Sequence, residues 1–270
     1  MVMLVFRKDW REIRRNWQIL LPIVAVPILI SIVLPTLIIV TPSLSSISGP
    51  PLENSTSMMK NLPSQVREEL AGMSAWQALV YVMSLYFFAP FFLIIPLMAS
   101  SVIASDSFAG EKERRTIEAL LAAPLSDSEL LLGKMLVSFF PSMIVTAVSF
   151  AVYSTVIDLF SFSLFGGRLL LPNLVWIMLI FGVAPTIALA GIGLTVIISA
   201  RVKGFREAQQ ISAILLIPVL MLVLGQVSGA IFFGPTVVGV LIGVFVTVDL
   251  FVLYFGIRSF KREEILSRLA

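Results

Sequence analysis

Six stretches of the chain, 19–40, 79–104, 135–162, 174–200, 211–226 and 236–257, are apolar over a length that a membrane dictates and a soluble core does not. Crossing about 30 Å of hydrocarbon takes roughly 20 helical residues at 1.5 Å each, and only 211–226 falls short of that length. No water is available inside a bilayer to satisfy exposed backbone groups, so segments of this kind span it as helices. The expected fold is an all-α polytopic membrane protein with six transmembrane helices, a single domain over 1–270. Composition agrees: 58% of residues are hydrophobic and 13% charged, against about 45–50% and about 25% in soluble domains. Prolines inside the apolar stretches, such as Pro22, Pro90, Pro185 and Pro218, fit membrane helices, which tolerate them better than soluble ones.

Charge sets the expected orientation. Sixteen of the 19 Lys and Arg residues fall in the amino-terminal segment, in 105–134, in the connection after 174–200, and in the tail from Arg258. Lys60, Arg67 and Arg168 lie in the alternate connections. This asymmetry places both termini and 105–134 in the cytoplasm, with 41–78 as an extracytoplasmic loop. The net charge of +3 thus reflects membrane topology, and no nucleic-acid partner is expected. The loop opens with Ser and Pro, and Met58 to Gly72 is expected to form a short surface helix. Residues 2–17 read as an amphipathic helix. Phe6, Trp10, Ile13 and Trp17 share one face, with basic residues over the rest, a pattern suited to the interface between lipid and water. The amino-terminal charge run is too long for a cleavable signal. Cys and His are absent, which removes disulfides, thiol nucleophiles, Cys or His zinc sites and Ser-His-Asp catalysis.

The longest polar interruption, 105–134, mixes both charge signs with helical apolar spacing. Ile117, Leu120 and Leu121 form an i, i+3, i+4 patch. Glu111 is spaced to pair with Arg115, and Arg114 with Glu118. Gly110 is expected to break the chain before this helix and Pro124 to stop it. Ser126 and Glu129 match a capping box that opens a second helix leading back into the membrane. Gly133-Lys134 is followed by Met135 and lacks the upstream glycine of a phosphate-binding loop, and no other candidate occurs. ATP chemistry would therefore need another chain.

The run Asp106-Ser-Phe-Ala-Gly-Glu-Lys-Glu-Arg-Arg-Thr-Ile-Glu-Ala-Leu-Leu-Ala-Ala-Pro-Leu-Ser, followed by Glu129-Leu and Gly133-Lys134, resembles the signature of ABC-2 type transporter permeases, the membrane subunits of ATP-binding-cassette exporters. Arg115 stands where that family usually has a small residue. Arg206-Glu-Ala-Gln-Gln210 with Pro218 resembles its sodium-extrusion, NatB-like branch. The resemblance implies a permease in the cell membrane that pairs with a second permease copy and with ABC ATPase subunits. The ATPases would bind ATP and Mg, and this chain would hold no cofactor or metal. It also implies that 111–121 is a coupling helix. Its ATPase contacts would be Glu111, Lys112, Arg114, Arg115, Ile117, Glu118, Leu120 and Leu121.

Within the spans, Asp249 is the conspicuous acid. A carboxylate near mid-membrane is costly on insertion scales, by about 2.5–3.5 kcal/mol, so it should face protein, water or a cation. It is a candidate pathway residue together with Gln226, and it carries the alternative reading, an ion-coupled secondary transporter. Asp158 is placed to pair with Arg168 across the turn at Gly166-Gly167. Gly225 to Gly229 and Gly239 to Gly243 match small-residue packing motifs. Val227 to Pro235 is too apolar for an ordinary loop, and both a re-entrant turn and a tight connection satisfy it.

Overall fold

A computed structural model describes residues 10–11, 16–44, 64–114, 116, 127–202, 204–228 and 230–259. Every regular element among them is helical, and six helices are long and apolar enough to cross a membrane. Helix α1 comprises Trp17–Ile28, a π-helical turn at Leu29–Val33, and Leu34–Leu44. A short α2 covers Ser64–Glu69. Helix α3 runs through Ala75–Val82, a π turn at Met83–Phe87, Phe88–Phe92, Ile94–Ser105, a second π turn at Asp106–Gly110, and Glu111–Glu113. Then follow α4, Asp127–Ser161, and α5, with Leu174–Met178, a π turn at Leu179–Val183 and Ala184–Ser199. Helix α6 covers Phe205–Ser212, a 3₁₀ turn at Ala213–Leu215 and Leu216–Val227; α7 covers Pro235–Ser259.

Outside the bundle the usual rule of soluble proteins is inverted. Val24, Ile144, Val148, Phe181, Leu224 and Leu250 all point outward and exposed. Apolar surface on this scale suits lipid or another membrane chain. Helices α3 and α5 are the most enclosed of the six, and α6 and α7 the most open. The chain is a multi-pass membrane protein.

Helix α3 is the axis of the bundle, and it is longer than expected at both ends. It begins at Ala75 rather than Leu79 because Ser74 and Gln77 form a capping box. Gln77 N–H donates to Ser74 Oγ at 3.2 Å, and Ser74 N–H donates to Gln77 Oε1 at 2.8 Å. At its far end the helix passes through Gly110 instead of breaking there. That glycine is required for space: a Cβ on it would lie 2.7 Å from Asp106 Oδ1.

The π turn at Met83–Phe87 fixes the neighbours of α3. Pro90 has no N–H to give to the carbonyl four or five residues back, that of Tyr86 or Leu85. An unsatisfied carbonyl at membrane depth is costly, so side chains from other helices take these groups. Tyr153 Oη of α4 donates to Ser84 O at 2.7 Å, and Trp176 Nε1 of α5 to Leu85 O at 3.0 Å. Gln226 Nε2 of α6 donates to Tyr86 O at 2.8 Å. Three consecutive carbonyls thus hold three different helices. Around them the aromatic core stacks, with Trp176 4.7 Å from Tyr153 and 5.5 Å from Phe150, centroid to centroid.

Helices α5 and α7 meet where glycine leaves room. A Cβ on Gly193 would lie 2.3 Å from Val252 Cγ1, and one on Gly182 2.4 Å from Ile242 Cδ1. Gly193→Ala is therefore expected to push α7 away and destabilise the protein by about 1–3 kcal/mol, the usual cost of overpacking. Thermal stability in detergent checks this; a midpoint equal to wild type would mean that Val252 moves aside freely.

One connection differs from expectation, and another shows why it is apolar. Asp158 does not pair with Arg168; its Oδ1 accepts the Leu170 and Leu171 N–H groups at 2.8 and 3.1 Å. The turn between them needs glycine, since Gly166 and Gly167 have φ of 62° and 85°. Between α6 and α7, Ile231 N–H donates to Gly225 O at 3.0 Å, and the side chain of Phe233 enters the core. That burial accounts for the apolar character of this short connection. Of the stretch 58–72 expected as a surface helix, α2 covers Ser64–Glu69, and residues 45–63 lie outside the described residues.

Candidate functional site

The charged cluster lies where the amino end of α1, the carboxyl end of α3, the amino end of α4 and the connection from α5 to α6 come together. Ile19 and Ile23 of α1 pack there with Val102 and Ile103 of α3, Val137 of α4 and Phe205 of α6. Within this frame the second π turn of α3, Asp106–Gly110, delivers a run of charged residues.

Glu111 and Lys134 form an ion pair whose side chains are each 1% exposed. Lys134 Nζ also donates to Ser107 O and lies 5.2 Å from the centre of the Phe108 ring. A buried charge persists only when its partner and the remaining donors or acceptors are supplied, as they are here. Beside it, Arg114 Nη1 contacts Asp106 Oδ1 at 2.9 Å, with Arg114 the more exposed partner.

The same segment reaches the connection between α5 and α6. Lys112 Nζ donates to Val202 O at 3.0 Å, and Phe205 N–H donates to Glu113 Oε2 at 2.9 Å. Glu113 thus satisfies a free amide at the start of α6, the end at which a negative charge is favourable. Gly204 permits this approach, because a Cβ there would lie 2.6 Å from Glu113 Oε2. The end of α3 is therefore bonded to α4 through Glu111, to the connection between α5 and α6 through Lys112, and to α6 through Glu113.

This geometry changes the reading of the polar stretch. Glu111 was expected on a docking surface paired with Arg115; it is buried and paired with Lys134, so it is an internal strut. Lys112 and Arg114 make internal contacts as well, although Arg114 keeps substantial exposure. Arg115, Ile117, Glu118, Leu120 and Leu121 lie outside the described residues, as do Pro124 and Ser126. Helix α4 begins at Asp127, next after Ser126. Sequence reasoning missed Glu113 and Lys134 as binding partners. Their partners are far away in the chain, and no local spacing signals them.

Of the amino-terminal set, Trp10 is helical and half-buried and Trp17 opens α1, exposed, while Phe6 and Ile13 lie outside the described residues. Gln226, expected as a pathway residue, spends its amide N–H on Tyr86 O. Its Oε1 is buried with no hydrogen-bond partner among the described residues. Asp249 is buried on α7, and its Oδ1 likewise has none. Asp249 and Gln226 sit on different helices, and no contact joins them among the described interactions.

A family model described as ABC-2 family transporter protein matches residues 3–255. No curated protein and no solved structure matches the chain.

Proposed function

We propose a mechanism from one premise: the chain belongs to the ABC-2 transporter family and is a membrane permease subunit of an ABC transporter. In this mechanism a separate ATPase subunit binds ATP and Mg and seats the segment 115–121, which follows the internally bonded 111–113, in a groove on its surface. Ile117, Leu120 and Leu121 supply the apolar contact. A second permease copy completes the pathway, and the exposed apolar faces of α6 and α7 are available to it. Both termini face the cytoplasm of a cell-membrane exporter, an orientation supported by the basic residues clustered at that end.

The observation that carries this reading is the bonding of 111–113. A push on the docked segment reaches α4 through Glu111 and Lys134, the connection between α5 and α6 through Lys112 and Val202, and α6 through Glu113 and Phe205. Coupling needs a physical connection between the site that is pushed and the helices that move. Here the link is a set of charge-assisted bonds, which resist stretching more than neutral ones.

The test is to co-purify the chain with the ATPase encoded beside its gene and to measure ATP-driven transport in vesicles. Ile117→Asp with Leu121→Asp is expected to abolish co-purification. Glu113→Ala is expected to keep the complex and its ATP hydrolysis while transport per ATP falls. Unchanged association in the double variant would sink the docking claim. Transport by the permease alone, driven by an ion gradient, would favour the secondary-transporter reading and its acid, Asp249.

A further inference from the structure

At the end of the bundle opposite the Glu111–Lys134 pair, a cavity of about 1030 Å³ opens between α2, α3 and two connections. Its volume lies at the upper end of the range for small-molecule sites, about 300–1,000 Å³. Among the described residues Glu69 of α2 is its only lining carboxylate, and four aromatic rings stand beside it: Tyr81, Tyr86, Phe165 and Phe232.

Those rings form a continuous row. Phe165 lies 6.2 Å from Tyr81, Tyr81 6.4 Å from Tyr86, and Tyr86 4.6 Å from Phe232, each pair tilted. Both tyrosines donate their hydroxyls to one oxygen of Glu69, Oε2, at 2.9 and 3.5 Å. A carboxylate accepts at both oxygens, so the second retains capacity toward the cavity. The walls are fixed independently. Gln226 holds the backbone of Tyr86, and Gln77 Nε2 donates to Leu164 O at 2.7 Å, pinning the turn that carries Phe165.

An aromatic face attracts a cation through its quadrupole, and a carboxylate adds the counter-charge. We infer that this cavity binds a small organic cation, a quaternary or substituted ammonium group, against Glu69 and the row from Phe165 to Phe232. Arg168, which also lines the cavity, leaves it without a net charge from Glu69 and Arg168 together. Selectivity then comes from the local grouping of carboxylate and rings, and favours a single positive centre. Recognition here does not use the ATPase, so it stands or falls separately from the docking claim.

The full chain in a maltoside detergent, which carries no ammonium group, titrated by equilibrium dialysis, gives the test. The probes are choline, its uncharged carbon isostere dimethylbutanol, and acetate. Choline is expected to bind saturably, with the isostere about tenfold weaker. Glu69→Gln should bring choline down to the level of the isostere. Phe232→Leu leaves Glu69 in place and removes one wall, and it should weaken choline alone. Equal binding of choline and the isostere, preferential binding of acetate, or full choline affinity in both variants would overturn the inference.

Discussion

Replacing Lys134 by Met is expected to destabilise the protein by about 3–5 kcal/mol, the cost of leaving a buried charge without its partner. Met keeps most of the side-chain volume, so the loss would not come from a cavity. Glu111, 1% exposed, would keep its charge without the lysine that faces it, or be protonated at a free-energy cost. The diagnostic companion is Lys134→Met with Glu111→Leu. Removing both charges from a buried pair is often neutral or stabilising, whereas removing one is not. The double variant should therefore recover most of the thermal midpoint lost by the single one, measured on the purified chain in detergent. A double variant no more stable than Lys134→Met would show that the two side chains do not act as a pair. The double variant also separates stability from coupling. If it folds well but transports poorly with the ATPase, then the strut between α3 and α4 matters for transmission beyond its role in folding.

How much of this could be read from the residues alone follows a physical division. The six spans were legible because hydrocarbon thickness imposes a length on each segment, whatever the tertiary packing. The end of α3 was not, because Gly110 carried a local turn signal while the helix continues through it. Glu111 illustrates the limit most plainly. Helical spacing offered Arg115, which lies outside the described residues, and gave no sign that a lysine far along the chain also pairs with Glu111. Local spacing lists the partners a side chain can reach on its own helix; it is silent about those that another helix brings. The prolines show the converse. Pro90 announced that a carbonyl near Tyr86 would go unpaired, yet nothing nearby identified Trp176 and Gln226 as the groups to satisfy Leu85 and Tyr86. Ser74 and Gln77 could have been found, since a Ser followed three residues later by Gln is a local signature of a helix start. Within the candidate site, the contact residues 117–121 rest on periodicity and the family resemblance. The bonding of 111–113 is visible only in three dimensions.

Trp176→Ala is expected to be among the most damaging single changes in the chain, at about 3–5 kcal/mol, the range for deleting a large buried aromatic side chain. Three losses coincide. The ring is fully buried and stacks with both Tyr153 and Phe150. Its Nε1 is the group that satisfies Leu85 O, which Pro90 cannot reach through a backbone bond. Stacking there joins α4 to α5, while the hydrogen bond joins α5 to α3. Trp176→Phe separates these contributions. It retains a ring for stacking and removes the donor, so its cost should be smaller, about 1–3 kcal/mol for a buried acceptor left unpaired. Tyr153→Phe makes the same kind of change at Ser84 O, the preceding carbonyl. Because both carbonyls belong to one π turn, the two Phe variants are expected not to add. Once one carbonyl is orphaned the turn can relax, and the second loss then costs less, an interaction within the range of about 0.5–3 kcal/mol seen for coupled neighbours. Thermal midpoints of the two single variants and the double variant measure that coupling. Strict additivity would mean that each carbonyl is held independently, and that the π turn at Met83–Phe87 is not the shared anchor of the bundle.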